Sequence, residues 1–142
     1  MKKLQRKRFT LIEVVIVIVI LVTLASIATP MYLNYISNAN IGAAKTQIKA
    51  FKEALNGYKM EHGDYPAEDA GLQALIEDVE DKGDSWKKSL DASAIPRDPW
   101  GNEYVYRSPG DEDRPFEIIS YGADGQAGGE GENADITSFD AN

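Results

Sequence analysis

From residue 9 to residue 44 the chain carries a single charged side chain, Glu13. Residues 14–29, VVIVIVILVTLASIAT, hold nothing more polar than Ser or Thr. As a helix rising about 1.5 Å per residue, residues 9–33 reach roughly 37 Å, which spans a hydrocarbon core of about 30 Å with some tilt. A buried strand would also suit so many β-branched residues, but strands rarely exceed about 10 residues. A secretory signal peptide likewise starts basic and continues apolar. Here, however, the apolar stretch outlasts a typical h-region, and no small-x-small cleavage site precedes a change of texture. Residues 1–8, MKKLQRKR, hold five Lys/Arg and no acid. Bases beside a span stay cytoplasmic, so the remainder of the chain is expected to face outward.

Past Pro30 the pattern turns amphipathic without a turn signal. Ile41, Ala44, Ile48, Phe51, Leu55 and Tyr58 recur at helical spacing, while Lys45, Lys49, Lys52, Glu53 and Lys59 fall largely on other faces. Gly63 supplies a C′ position and Pro66 stands just beyond. One helix over residues 9–62 is therefore expected. Pro30 deprives the Ser26 carbonyl of its helical partner, which favours a bend or a loosened turn there. The expected divisions are a basic leader at 1–8, a membrane helix at 9–33, its amphipathic continuation at 34–62 and a small head at 63–142.

Within that head, residues 68–79 have a short helix pattern with Leu72, Leu75, Ile76 and Val79 on one side. Residues 81–97 are polar and irregular, anchored by Trp86, Leu90 and Ile95. After the turn Asp98-Pro99-Trp100-Gly101-Asn102, residues 103–108 and 116–121 alternate like strands. Two short strands are marginal alone, so they are expected to pack on the helix stripe, giving an α+β fold. Tyr104, Tyr106 and Tyr121 are expected to pack, and His62 to suit the negative helix end.

A net charge of −8 argues against nucleic acid as a partner. Without cysteine there is no disulfide, thiol nucleophile or Cys-ligated metal, and His62 alone cannot build a two-imidazole site. Residues 122–142 hold five glycines and five carboxylates with no base. That composition suits either a solvated acidic tail or a loop folded by Ca²⁺, which takes about 6–8 oxygen ligands. Glu13 is itself a functional candidate, because a carboxylate in hydrocarbon is costly unless paired. Snorkelling to the cytoplasmic interface is its alternative.

Phe9-Thr10-Leu11-Ile12-Glu13 ahead of an apolar helix, with Pro30 as the 22nd residue from Phe9, resembles type IV pilins and pseudopilins. Asp98-Pro99-Trp100-Gly101-Asn102-Glu103-Tyr104 together with Ser120-Tyr121-Gly122-Ala123-Asp124-Gly125 resembles, more selectively, the major pseudopilins of type II secretion systems. The resemblance implies a lollipop-shaped subunit that polymerises into a helical filament and helps push folded proteins through the outer-membrane secretin. Its implied partners are copies of itself, minor pseudopilins, the inner-membrane assembly platform, membrane lipid and a prepilin peptidase. That peptidase cleaves before the Phe and methylates the new amine, here at Arg8–Phe9; the family has Gly where this chain has Arg8. Glu13 would pair with the Phe9 amine of a neighbouring subunit, and Pro30 lies where packed filaments can lose helical structure.

The resemblance also implies a structural calcium loop over about 122–136. Asp124 and Asp135 would supply side-chain oxygens, and Tyr121 and Gln126 backbone carbonyls. The family often has two adjacent acids before Ile; Ala134 breaks that pair here, and Glu132 or Asn133 is the expected substitute. A type IV pilin for adhesion, motility or DNA uptake is the alternative function, though such pilins commonly close with a Cys pair. A membrane-tethered enzyme is disfavoured, since no convergent His, Cys or Gly-rich phosphate-binding motif occurs.

Overall fold

The structure, a computed structural model, describes residues 9–140. Its principal element is α1, Leu11–His62, which runs without interruption through Pro30. The first turn is a capping box of the form Thr-x-x-Glu. Thr10 N–H donates to Glu13 Oε2 at 2.8 Å, Thr10 Oγ1 donates to the same oxygen at 3.0 Å, and Glu13 N–H donates back to Thr10 Oγ1 at 3.3 Å. The helix ends at Gly63, whose φ of +90° suits a residue without Cβ and whose N–H reaches the Lys59 carbonyl at 2.8 Å.

The chain divides into two compact units, one ending at Ile36 and one beginning at Ser37. In the first, every large apolar side chain from Phe9 to Ile36 is exposed. Polar hydroxyls there turn back onto the helix: Thr23 donates to the Val19 carbonyl and Thr29 to the Ala25 carbonyl, each at 2.8 Å. Such back-bonding hides hydroxyls that hydrocarbon would leave unpaired. Among the described residues this is the one helix long and apolar enough to cross a membrane.

The second unit is built on the helical stripe. Ala44, Ile48, Phe51, Leu55 and Tyr58 are fully buried, with Ala54 beside them. They share one cluster with Leu72, Ala74, Leu75, Tyr104, Tyr106, Phe116, Ile118 and Ile136. The sheet has three antiparallel strands in the order β1 (Val105–Arg107), β2 (Glu117–Ser120), β3 (Ile136–Thr137). Val105 pairs with Ile119 across the first ladder, and Ser120 with Ile136 across the second. All four β2 residues are buried, as befits a central strand.

Two expectations need correction. Residues 68–79 form no α-helix; only the 3₁₀ turn Gly71–Leu75 appears. Leu72 and Leu75 are buried as expected, but Val79 is 43% exposed. The segment is too short for a stable helix of its own, and its polar groups bond elsewhere: the Leu75 carbonyl accepts from the Ser89 and Leu90 amides. The second correction is β3, a third strand inside the region read as an acidic loop. Its two residues are too few for an alternation pattern.

Candidate functional site

Two regions carry the candidate residues. At the amino end, Phe9 is exposed and Glu13 is held by Thr10, so the carboxylate caps its own helix within one chain. This capping role escaped the sequence analysis, although the Thr-x-x-Glu spacing displays it. Pro30 lies inside α1. Arg8 lies outside the described residues.

At the carboxyl end, residues 122–135 form a loop closed by backbone bonds. The Ala123 amide donates to the Glu132 carbonyl at 2.8 Å, and the Asn133 amide to the Glu130 carbonyl at 3.2 Å. Gly122 sits at φ +63°, and a Cβ there would stand 2.5 Å from the Glu132 carbonyl oxygen. At Gly129 a Cβ would stand equally close to the Asn133 carbonyl oxygen. The two limbs thus approach where no side chain intervenes.

Both expected side-chain ligands turn onto the loop's own backbone. Asp124 Oδ1 accepts from the Gln126 amide at 3.1 Å, and both oxygens of Asp135 accept from the Gly128 amide at 3.0 Å. Glu132 is exposed and Asn133 half-buried. Tyr121 is half-buried, its hydroxyl 3.5 Å from Arg107 Nη2. Among the described residues no three Asp, Glu, His or Cys side chains converge as a metal cluster. Residues 122–135 hold four carboxylates, Asp124, Glu130, Glu132 and Asp135, beside their backbone carbonyls, oxygen donors of the kind a hard cation takes.

Two clusters absent from the sequence analysis anchor this region. Lys52 Nζ, on the helix, donates to the Ser138 carbonyl at 2.9 Å, and both Lys52 and Arg114 lie over the Phe139 ring, 5.5 and 4.1 Å from its centre. Farther along α1, the Tyr58 hydroxyl donates to Glu80, whose other oxygen accepts the Ala67 amide at 3.0 Å. Lys82 lies 3.2 Å from Glu80 and 5.0 Å from the Tyr58 ring centre. Burial pushes the Glu80 carboxyl upward, but hydrogen bonds from Tyr58, Ala67 and Lys82 outweigh it and hold the group below its ordinary value. Burial, then the Glu80 bond, pushes the Tyr58 phenol up. Tyr104 and Tyr106 are buried as expected, and burial drives both phenols up to about 12. His62 packs at a tilt against Tyr58 with ring centres 4.2 Å apart, at the helix end where it was expected.

A family model described as "Type II secretion system (T2SS), protein G" matches residues 31–139. The chain belongs to the type II secretion system protein G family. It is 39% identical over 142 residues to type II secretion system core protein G of Pseudomonas aeruginosa, covering 99% of both chains. With the Vibrio cholerae core protein G it shares 40% identity over 141 residues, covering 98% of this chain and 96% of that one. A crystal structure of the major pseudopilin from the type 2 secretion system of enterohaemorrhagic Escherichia coli matches with a TM-score of 0.60 and 25% identity. That match covers 74% of this chain and 90% of the other. The shared architecture is one long N-terminal apolar helix with a small three-stranded antiparallel sheet. Members of the protein G family are structural pseudopilins.

Proposed function

We infer that this chain is a structural subunit of a type II secretion pseudopilus, polymerising into a helical filament that helps drive folded proteins through the outer-membrane secretin. The observation that carries this reading is the exposed apolar face from Phe9 to Ile36, in which Glu13 is the one charged side chain. An apolar surface of that extent demands lipid before assembly and other helices after it. Five bases in residues 1–8 support an inner-membrane anchor with a cytoplasmic amino end and a periplasmic remainder. Cleavage at Arg8–Phe9 by a prepilin peptidase, methylation of Phe9, and partners among minor pseudopilins and the inner-membrane assembly platform belong to the same reading. Glu13 would then exchange its Thr10 cap for the Phe9 amine of the next subunit.

The loop at 122–136 is read as a structural calcium site. Asp124 and Asp135 would supply carboxylate oxygens, Tyr121 and Gln126 carbonyls, and Glu132 or Asn133 a further oxygen. Support comes from the oxygen-only donor set and from the glycine-lined approach of the two limbs. A bound calcium ion would neutralise carboxylates that otherwise rely on single amides. The Asp135 side chain would have to loosen its bonds to Gly128 to take part.

Expression in a type II-secreting bacterium lacking its own core protein G tests the main reading. Restored export of a folded exoprotein is expected; no export from a stably expressed, membrane-inserted chain overturns it. For calcium, limited proteolysis of the full chain in chelator and in millimolar Ca²⁺ is decisive. Slower cleavage near residues 122–135 with Ca²⁺ is expected, and identical digestion rejects the site.

A further inference from the structure

The turn at residues 98–102 is joined to the C-terminal loop by a closed circuit of polar groups, buried at Asp98, Ser120 and Gly122 and half-buried at Asn102. Asp98, 4% exposed, uses Oδ1 to accept the Trp100 amide at 3.1 Å and the Asn102 amide at 2.8 Å. Its Oδ2 accepts the hydroxyl of fully buried Ser120 at 2.7 Å. Ser120 Oγ in turn accepts the Gly122 amide at 3.4 Å, and Asn102 Nδ2 donates to the Gly122 carbonyl at 2.8 Å. Gly122 therefore has its amide held by one member of the circuit and its carbonyl by another. The next amide, Ala123, reaches across to Glu132. Asn102 also abuts the following turn: a Cβ at Gly125 would lie 3.2 Å from Asn102 Oδ1.

We propose that Asp98, Asn102 and Ser120 form a positioning brace that presets the first limb of the loop, residues 121–126, for cation binding. The proposal rests on the calcium reading above. Its physical basis is that a buried carboxylate accepting several bonds is a strong, orienting group. Ligands are precise only when the groups behind them are fixed. Nothing in Asp98, Asn102 or Ser120 is required to touch the ion. Asn102 donates to the Gly122 carbonyl and so fixes the direction in which that peptide unit faces.

Amide hydrogen exchange on the full chain in detergent, in chelator and across a Ca²⁺ titration, tests the brace. In Asn102→Ala the amides of residues 122–126 are expected to exchange faster in chelator, while those of β2 keep their rates. The Ca²⁺ concentration giving half-maximal loop protection should rise about 10–100-fold, the usual cost of losing an outer-shell partner. Asn102→Ser, a milder change, should fall between this variant and the unmodified chain. Asp124→Ala should instead abolish the Ca²⁺ response and leave exchange at Gly122 in chelator unchanged. Loop exchange and a Ca²⁺ midpoint in Asn102→Ala equal to those of the unmodified chain overturn the brace. Protection in the unmodified chain that ignores Ca²⁺ overturns the calcium reading itself, so the two failures appear in different samples.

Discussion

Glu13 occupies one position with two tasks. Within the chain it completes a capping box with Thr10, and on the proposed reading it would also neutralise the Phe9 amine of a neighbouring subunit. Glu13→Leu is expected to insert normally but yield few crosslinked multimers, whereas Glu13→Asp retains part of the yield. Equal crosslinking in the Leu variant would sink the pairing. Glycine positions in the loop separate backbone strain from steric conflict. At Gly131 (φ +64°) a Cβ meets nothing within 4 Å, so Gly131→Ala should cost only the left-handed penalty of roughly 1–2 kcal/mol. At Gly122 the same change adds a 2.5 Å encounter with the Glu132 carbonyl oxygen, and about 3 kcal/mol or more is expected. Urea unfolding of the two variants checks that difference.

At the scale of elements, the latch between α1 and the segment after it depends on Tyr58, Glu80 and Lys82 rather than on a second helix. Glu80 is held below the ordinary glutamate value of 4.5. Its contribution to stability is therefore present above about pH 4.5 and fades as the pH falls through its lower folded value. Tyr58 is held above 10, so its share stands below pH 10 and is lost as the pH rises through its higher folded value. Glu80→Gln should lower the melting temperature near neutral pH yet flatten the decline below pH 4.5, as followed by circular dichroism. An unchanged acid limb would remove Glu80 from the latch. In place of a helix at 68–79, the Leu75 carbonyl accepts from the Ser89 and Leu90 amides.

At the scale of the whole molecule, the buried apolar side chains among the described residues all lie at Ala44 or beyond, and the described part of the unit ending at Ile36 contributes none. A fragment beginning at Ser37 is therefore expected to stay soluble without detergent and unfold cooperatively at the temperature of the full chain. A fragment that aggregates, or melts without a transition, would show that the apolar segment takes part in the fold. The same separation explains why so much was legible in advance. The helix stripe from Ile41 to Tyr58, the stop at Gly63 and the strands around Val105 and Ile118 are written in local spacing. Phe51 and Tyr104, by contrast, meet edge to face with ring centres 5.1 Å apart, and no local pattern pairs them.

By itself the sequence determined a long helix with an apolar first half bearing one acid and an amphipathic second half, because periodicity and charge exclusion act over neighbouring residues. Only tertiary structure decided that Lys52 clasps the C-terminal backbone, that Tyr58 meets Glu80, and that Asp98 reaches Ser120 and thereby the loop. These bonds join residues 86, 22 and 22 positions apart. Each exists because folding brings a buried polar group to a partner it could not otherwise replace once water is gone.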